Sequence, residues 1–165
     1  MTLNSAEFRQ AMASFATGVT IVTVDLEGVV HGMTANAVAS VSLEPMLLLV
    51  CVERTASTHA HLHAKKRFGV NVLAENQRTV SEFYADPMRL DQNAEREINA
   101  RFDRTAQGTP VLHGALAYLE CRLNEEHVAG DHTIFIAEVQ DVRLRAGMPL
   151  LFFQGRYRKI GDNAP

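Results

Sequence analysis

The 165-residue chain has no tryptophan, two cysteines and five prolines, and neither sign of charge dominates it. Each scarcity excludes something. Two cysteines are too few for a disulfide scaffold. Cys51 and Cys121 sit far apart in strand-like runs, so they read as reduced core thiols. Sixteen Lys and Arg against nineteen Asp and Glu leave a net charge of −3, which gives no field for a nucleic acid partner. The longest apolar runs, such as MLLLVCV (Met46–Val52), fall well short of the ~20 residues that span a bilayer. The opening MTLNSAEFRQ is polar and contains Glu7, unlike a signal peptide. No G-x-G-x-x-G follows a strand-like run, so no Rossmann nicotinamide domain is expected. A cytoplasmic protein without membrane segments is the expectation. With no repeat or linker, so is a single domain over residues 1–165.

What is there is 47% apolar, enough for a real core. Ser5 reads as the N-cap of a helix with Phe8, Met12 and Phe15 on one face, ended by Gly18. Val19–Val24 has the β-branched content of a strand, and DLEG (Asp25–Gly28) predicts a hairpin into Val29–Thr34. Met46–Val52 reads as a strand buried on both faces. Helices are predicted over Ser57–Lys66 and Asn76–Tyr84, with a strand at Phe68–Leu73 between them. Residues 86–108 are charged and irregular, a surface excursion or lid.

In ALAYLECRLN, Ala117, Leu119, Cys121 and Leu123 alternate with Tyr118, Glu120, Arg122 and Asn124, which predicts a strand with one wet side. After Thr133 the apolar parity of Phe135, Ala137 and Val139 switches at Val142 and Leu144, so a β-bulge is expected near Gln140 or Asp141. A last strand covers Leu150–Phe153. Six or seven strands with few helices, and no βαβα alternation, predict a mainly β fold: a mostly antiparallel barrel with peripheral helices.

Four stretches could carry chemistry. GMTANAVASVS (residues 32–42) is small and polar between apolar strands. Its backbone and the side chains of Thr34, Asn36, Ser40 and Ser42 could pair the edge of a flat heterocycle, with Ala35, Ala37 and Ala39 leaving room for its plane. A barrel corner relieved by small residues is the other reading. ERTASTHAHLH (Glu53–His63) opens a helix after a buried strand. Ser57 and Thr58 can cap it, its dipole favours an anion, and Arg54 can add a bidentate phosphate contact. Ordinary N-capping is the plainer alternative. His59 and His63 at i, i+4 have metal-binding spacing, but no Cys or suitably placed acid completes a site, so a solvated face is expected and no metal. EHVAGDHTIF (Glu126–Phe135) places Asp131 and His132 after Gly130 at a strand mouth; a triad with Ser40 or Ser42 lacks any nucleophile elbow.

Taken in order, FATGVTIVTV, GMTANAVASVSLEP, LLLVCVERTAST, FGVNVLAENQRTVSEFYA, GTPVLHGALAYLECRL, GDHTIFIAEV and PLLFFQGRY resemble the flavin reductase-like family. The resemblance runs from about Phe8 to Tyr157. It implies a Greek-key-like flavin-binding split barrel and a homodimer with the flavin near the subunit interface. The implied activity is NAD(P)H-dependent reduction of FMN or FAD, supplying reduced flavin to a separate monooxygenase. Thr34, Ala35, Asn36, Ser40, Val41 and Ser42 would contact the flavin ring and ribityl chain. Cys51, Arg54, Ser57 and Thr58 would follow the tail to its phosphate, and Phe102 and Tyr157 would lie near the ring. In the Gly130–Asp131–His132 turn, His132 would serve the nicotinamide. A flavin carrier without turnover, or a barrel acting on another small molecule or cofactor, are the alternatives; the G-D-H turn argues for the enzyme.

Overall fold

The computed structural model describes residues 4–86, 98 and 100–161. Helix α1 (Ser5–Ala13) is followed by β1 (Thr17–Gly18), β2 (Thr20–Leu26), β3 (Val29–Ala35), β4 (Val38–Leu43) and β5 (Met46–Glu53). Then come α2 (Ser57–Lys65), β6 (Arg67–Val72), a 3-10 turn (Glu75–Gln77) and α3 (Arg78–Ala85). The remainder is β7 (Phe102–Arg104), β8 (Pro110–Leu112), β9 (Ala117–Ala129), β10 (His132–Leu144), β11 (Leu151–Phe153) and β12 (Arg156–Arg158).

Seven strands form one antiparallel sheet in the order β3-β2-β6-β9-β10-β5-β4. The sheet rolls around a common core. Val22, Val50, Phe68, Cys121 and Phe135 come one each from β2, β5, β6, β9 and β10; all are fully buried and share one cluster. Each of the Val and Phe side chains contributes about 1.5–3 kcal/mol of burial free energy. No ladder joins the two edge strands, β3 and β4, among the described residues. The sheet is open there, and Asn36 and Ala37 connect the two edge strands along the chain. A second cluster, with Ile21, Leu73, Val80, Tyr84 and Leu150, seats α3 against the sheet.

The parity switch in β10 is real: its register against β9 shifts between Val139 and Asp141, with a further shift between Ile136 and Ala137. The DLEG hairpin forms as predicted, the Gly28 N–H donating to Asp25 Oδ2. Several expectations are corrected. Asn4, not Ser5, caps α1; its Oδ1 accepts from the Ala6 and Glu7 amides, and Glu7 returns a bond to the Asn4 N–H. The helix ends at Ala13, well before Gly18. Phe8 and Met12 on its apolar face are exposed, with no described residue covering them, and Phe15 just beyond it is 69% exposed. The first turn of the helix predicted from Asn76 is the separate 3-10 turn.

Strand β5 is fully buried on one face only, at Leu48, Val50 and Val52. The side of β9 expected to be wet is dry at Tyr118 and Glu120, because the turn after β7 folds over it. There Glu120 Oε1 accepts from Thr105 Oγ1 (3.0 Å), Thr109 Oγ1 (2.6 Å) and Arg67 (3.2 Å). Within residues 86–108, expected to be a surface excursion or lid, Phe102–Arg104 is a strand paired with β8, and 87–97 and 99 lie outside the described residues. The final predicted strand is the first arm of a hairpin with β12.

Candidate functional site

A groove of about 490 Å³ opens where the small-residue stretch, the end of β5 and the start of α2 meet. The last residues of β3 and the crossover, His31 to Ala37, form one wall. Cys51 to Glu53 and Ala56 to Thr58 form the other, Tyr84 and Ala85 of α3 close one side, and His132 stands at the head of β10.

Local hydrogen bonding explains the convergence. Strand β5 ends at Glu53, and the Ala56 N–H donates back to the Glu53 carbonyl as the chain turns into α2. The N-cap is Ala56, so no side chain caps the helix, and Ala56, Ser57 and Thr58 at its positive end line the groove. The expected capping by Ser57 and Thr58 is thus corrected: Ser57 lines the groove, and the Thr58 hydroxyl is bound to His31 Nε2 at 2.8 Å. The β9–β10 hairpin turns through Gly130 at φ +65, a conformation that glycine adopts without strain. The Arg54 N–H donates to the Asp131 carbonyl at 2.9 Å, pinning the turn to the end of β5, and His132 pairs in register with Glu53.

His132 is half-exposed, and its Nδ1 lies 2.7 Å from Asp131 Oδ1. The hydrogen bond and charge of His132 hold the Asp131 carboxyl below the usual aspartate range. A proton on Nδ1 satisfies this contact and orients the ring. Burial pushes the Cys51 thiol up, so it meets the groove as a neutral group. The three histidines of α2 diverge: His59 bonds Thr133, His61 packs edge-on against His31, and His63 bonds Glu126. Among the described residues no group of three His, Cys, Asp or Glu could hold a metal.

Thr34, Ala35, Asn36, Cys51, Ser57, Thr58 and His132 therefore line one groove. Other predicted site residues are placed elsewhere. Ser40 lines a second, apolar hollow with Phe15 and Leu48, Val41 is the exposed bulge residue of β4, and Ser42 Oγ accepts from the Glu44 N–H. The Arg54 side chain is exposed beside the groove. Gly130 and Asp131 shape the turn that carries His132. Phe102 and Tyr157 pack behind the groove: Phe102 meets the Tyr84 ring, and Tyr157 Oη lies 2.9 Å from Ser81 Oγ. Thr34 Oγ1 donates to the Ser81 carbonyl at 2.6 Å, so the same turn of α3 is tied to β3. Gly32, Glu53 and Ala56 belong to the stretches singled out by sequence without being named as site residues, whereas His31 and Tyr84 were not anticipated. Only the histidine immediately before GMTAN was a sequence signal; Tyr84 reads from its helix as a core residue.

The residues present suit a flavin. Small side chains and strand backbone would meet its plane and polar edge, and an uncapped helix start would meet its anionic tail.

The model of the flavin reductase like domain matches residues 12–161. The chain belongs to this family. The reductase component of 4-nitrophenol 4-monooxygenase/4-nitrocatechol 2-monooxygenase from Rhodococcus opacus is 38% identical over 94% of this chain and 80% of its own length. An NADH-dependent flavin reductase from a Rhodococcus species is 38% identical over 92% of this chain and 84% of its own. Among solved structures, BorF is the flavin reductase component of a bacterial two-component tryptophan halogenase. It superposes with a TM-score of 0.87 at 39% identity, covering 97% of this chain and 100% of that one. Streptomyces globisporus NADH:FAD oxidoreductase SgcE6, solved with NAD and FAD fragments, gives 0.89 at 36% identity over 98% and 96%. The family membership agrees with the resemblance read from the sequence, and the antiparallel, mainly β architecture agrees with the predicted fold class.

Proposed function

We propose that this protein is an NAD(P)H:flavin oxidoreductase that passes hydride from reduced nicotinamide to FMN or FAD and supplies the reduced flavin to a separate flavin-dependent monooxygenase. The observation that carries this reading is the single groove joining small-residue backbone, an uncapped helix start and His132. Flavin, when bound, supplies the hydride-accepting chemistry. The chain's own residues position and orient. Thr34, Ala35 and Asn36 would hold the ring through backbone and amide groups, and Cys51 would flank it as a neutral thiol. Ser57, Thr58 and Arg54 would take the phosphate. His132, its ring set by Asp131, would orient the nicotinamide amide or phosphates without abstracting a proton. No nucleophile is needed, and rate comes from proximity and orientation. The relatives described as NADH-dependent favour NADH over NADPH.

The reading extends to a single domain over residues 1–165 and to a homodimer. Phe8, Met12 and Phe15 leave an apolar surface on and just after α1, and Phe15 shares the second hollow with Ser40. A second subunit over that hollow would bring Ser40, Val41 and Ser42 near a covered interface. Location in the cytoplasm follows from the need for reduced nicotinamide and agrees with two free thiols.

Steady-state oxidation of NADH and NADPH, each with FMN and FAD in air, tests the activity. Turnover that saturates with added free flavin is expected. Flavin binding without turnover for any pair would overturn the reductase reading.

A further inference from the structure

We infer that His31 is a positioning residue for the flavin phosphate, acting through the hydroxyl of Thr58; the inference rests on the flavin reading above. Thr58 lies in the first turn of α2, is 2% exposed, and lines the groove beside the uncapped helix start. Its hydroxyl carries one proton. That hydroxyl lies 2.8 Å from Nε2 of His31, a residue on a different element, β3. The direction of this hydrogen bond decides what Thr58 offers to the groove. If Nε2 accepts, the hydroxyl spends its proton on the ring and shows the groove only lone pairs, which repel an anion. If Nε2 carries a proton and donates, the hydroxyl is free to donate to a phosphate oxygen, adding a charge-assisted bond to the helix-start amides. A bound phosphate selects the second arrangement.

The ring is also braced. His61, one turn beyond Thr58 on α2, packs edge-on against it with centroids 4.6 Å apart and planes at 68°. His31 thus holds the Thr58 hydroxyl from the strand side while α2 holds it from the helix side. A tie that merely joins β3 to α2 would matter equally to every ligand of the groove. A polarity-setting tie matters only to a ligand that carries the phosphate.

FMN and riboflavin share ring and ribityl chain and differ in the phosphate, so they separate these roles. The experiment measures Kd for both by flavin fluorescence with the full chain, for wild type, His31→Ala, His31→Gln, Thr58→Val, Thr58→Ser and the His31→Ala/Thr58→Val pair, with thermal melts confirming folding. Thr58→Val, which removes the hydroxyl, is expected to weaken FMN about tenfold, the scale of one hydrogen bond to a charged group, and His31→Ala, which leaves the hydroxyl in place but undirected, is expected to weaken it by less, while riboflavin affinity holds. The double variant is expected to be no weaker than Thr58→Val alone, because His31 acts only through that hydroxyl. His31→Gln and Thr58→Ser, which keep a donor and a hydroxyl, are expected to retain most of the preference for FMN. If Thr58→Val does not fold, the Thr58→Ser and His31 variants carry the test. Equal losses for FMN and riboflavin, additive losses in the pair, or unchanged FMN affinity would each overturn the inference. Wild-type protein that binds FMN and riboflavin equally would overturn it alone; binding of neither would overturn the flavin reading with it.

Discussion

The ring of Tyr84 lies against the backbone of Gly32: a Cβ built on Gly32 would meet Tyr84 Cδ1 and Cε1 at 2.6 Å. Both residues line the groove. The glycine that opens GMTAN is therefore required by a close approach of α3, and the groove's floor depends on it. Gly32→Ala must displace a fully buried tyrosine. The expected cost is about 1–3 kcal/mol of stability, the usual range for overpacking, with weakened flavin affinity. Urea unfolding and flavin titration of the same variant check both.

His132 faces the groove with its Nδ1 engaged by Asp131. His132→Ala is expected to raise KM for the reduced nicotinamide and lower kcat, leaving flavin Kd near wild type. Unchanged KM and kcat would remove His132 from the nicotinamide role.

Asp131 gives a signed pH effect. Its carboxyl is held below the ordinary aspartate pKa of about 3.9 by His132. The stability that the pair contributes is therefore fully present above that ordinary value. It is lost as the pH falls through the lowered folded value. Asp131→Asn should flatten this acid limb of the stability curve, and only slightly, because the pair is exposed to water. Urea midpoints of both proteins across the acid range measure it.

Glu120 is 4% exposed and anchors the turn after β7 through Thr105, Thr109 and Arg67. Glu120→Ala leaves two hydroxyls and a guanidinium without their acceptor, at an expected cost of about 3 kcal/mol. Glu120→Gln keeps the shape and one acceptor oxygen and should cost less. Denaturant unfolding ranks the two, and an alanine variant as stable as the glutamine one would show that the turn does not rely on the carboxylate.

The two thiols should differ in reactivity. Burial, reinforced by the charge of Glu120, pushes the Cys121 thiol up to about 12, and burial raises Cys51 as well. Both are expected to be predominantly thiols near neutral pH and slow towards a disulfide reagent. Cys51 lines the groove, so its slow labelling in the native protein should be suppressed further by FMN. Cys121 should label only on unfolding. Time-resolved thiol titration separates the two.

Periodicity and turn chemistry alone determined much of this protein. Alternating apolar residues marked β9 and β10, the parity switch marked the bulge near Asp141, and Asp25–Gly28 marked a hairpin. These are local properties, set by the two-residue repeat of a strand and by the few backbone conformations that close a turn. The order of the small-residue, anion and G-D-H stretches also pointed to the family.

Tertiary structure decided the rest, because it depends on which elements meet. Glu120 looks like a solvent residue by alternation, and only the turn folded over β9 makes it buried. Phe8, Met12 and Phe15 look like a core face, but no described part of the chain covers them. Thr58 looks like a helix cap, but a strand 27 residues earlier brings His31 to its hydroxyl. Capping, burial and hydrogen-bond partners are settled by long-range contacts that a local pattern does not encode. Those contacts gather Thr34, Cys51, Thr58 and His132 into one groove and leave Ser40, Val41, Ser42, Phe102 and Tyr157 outside its lining.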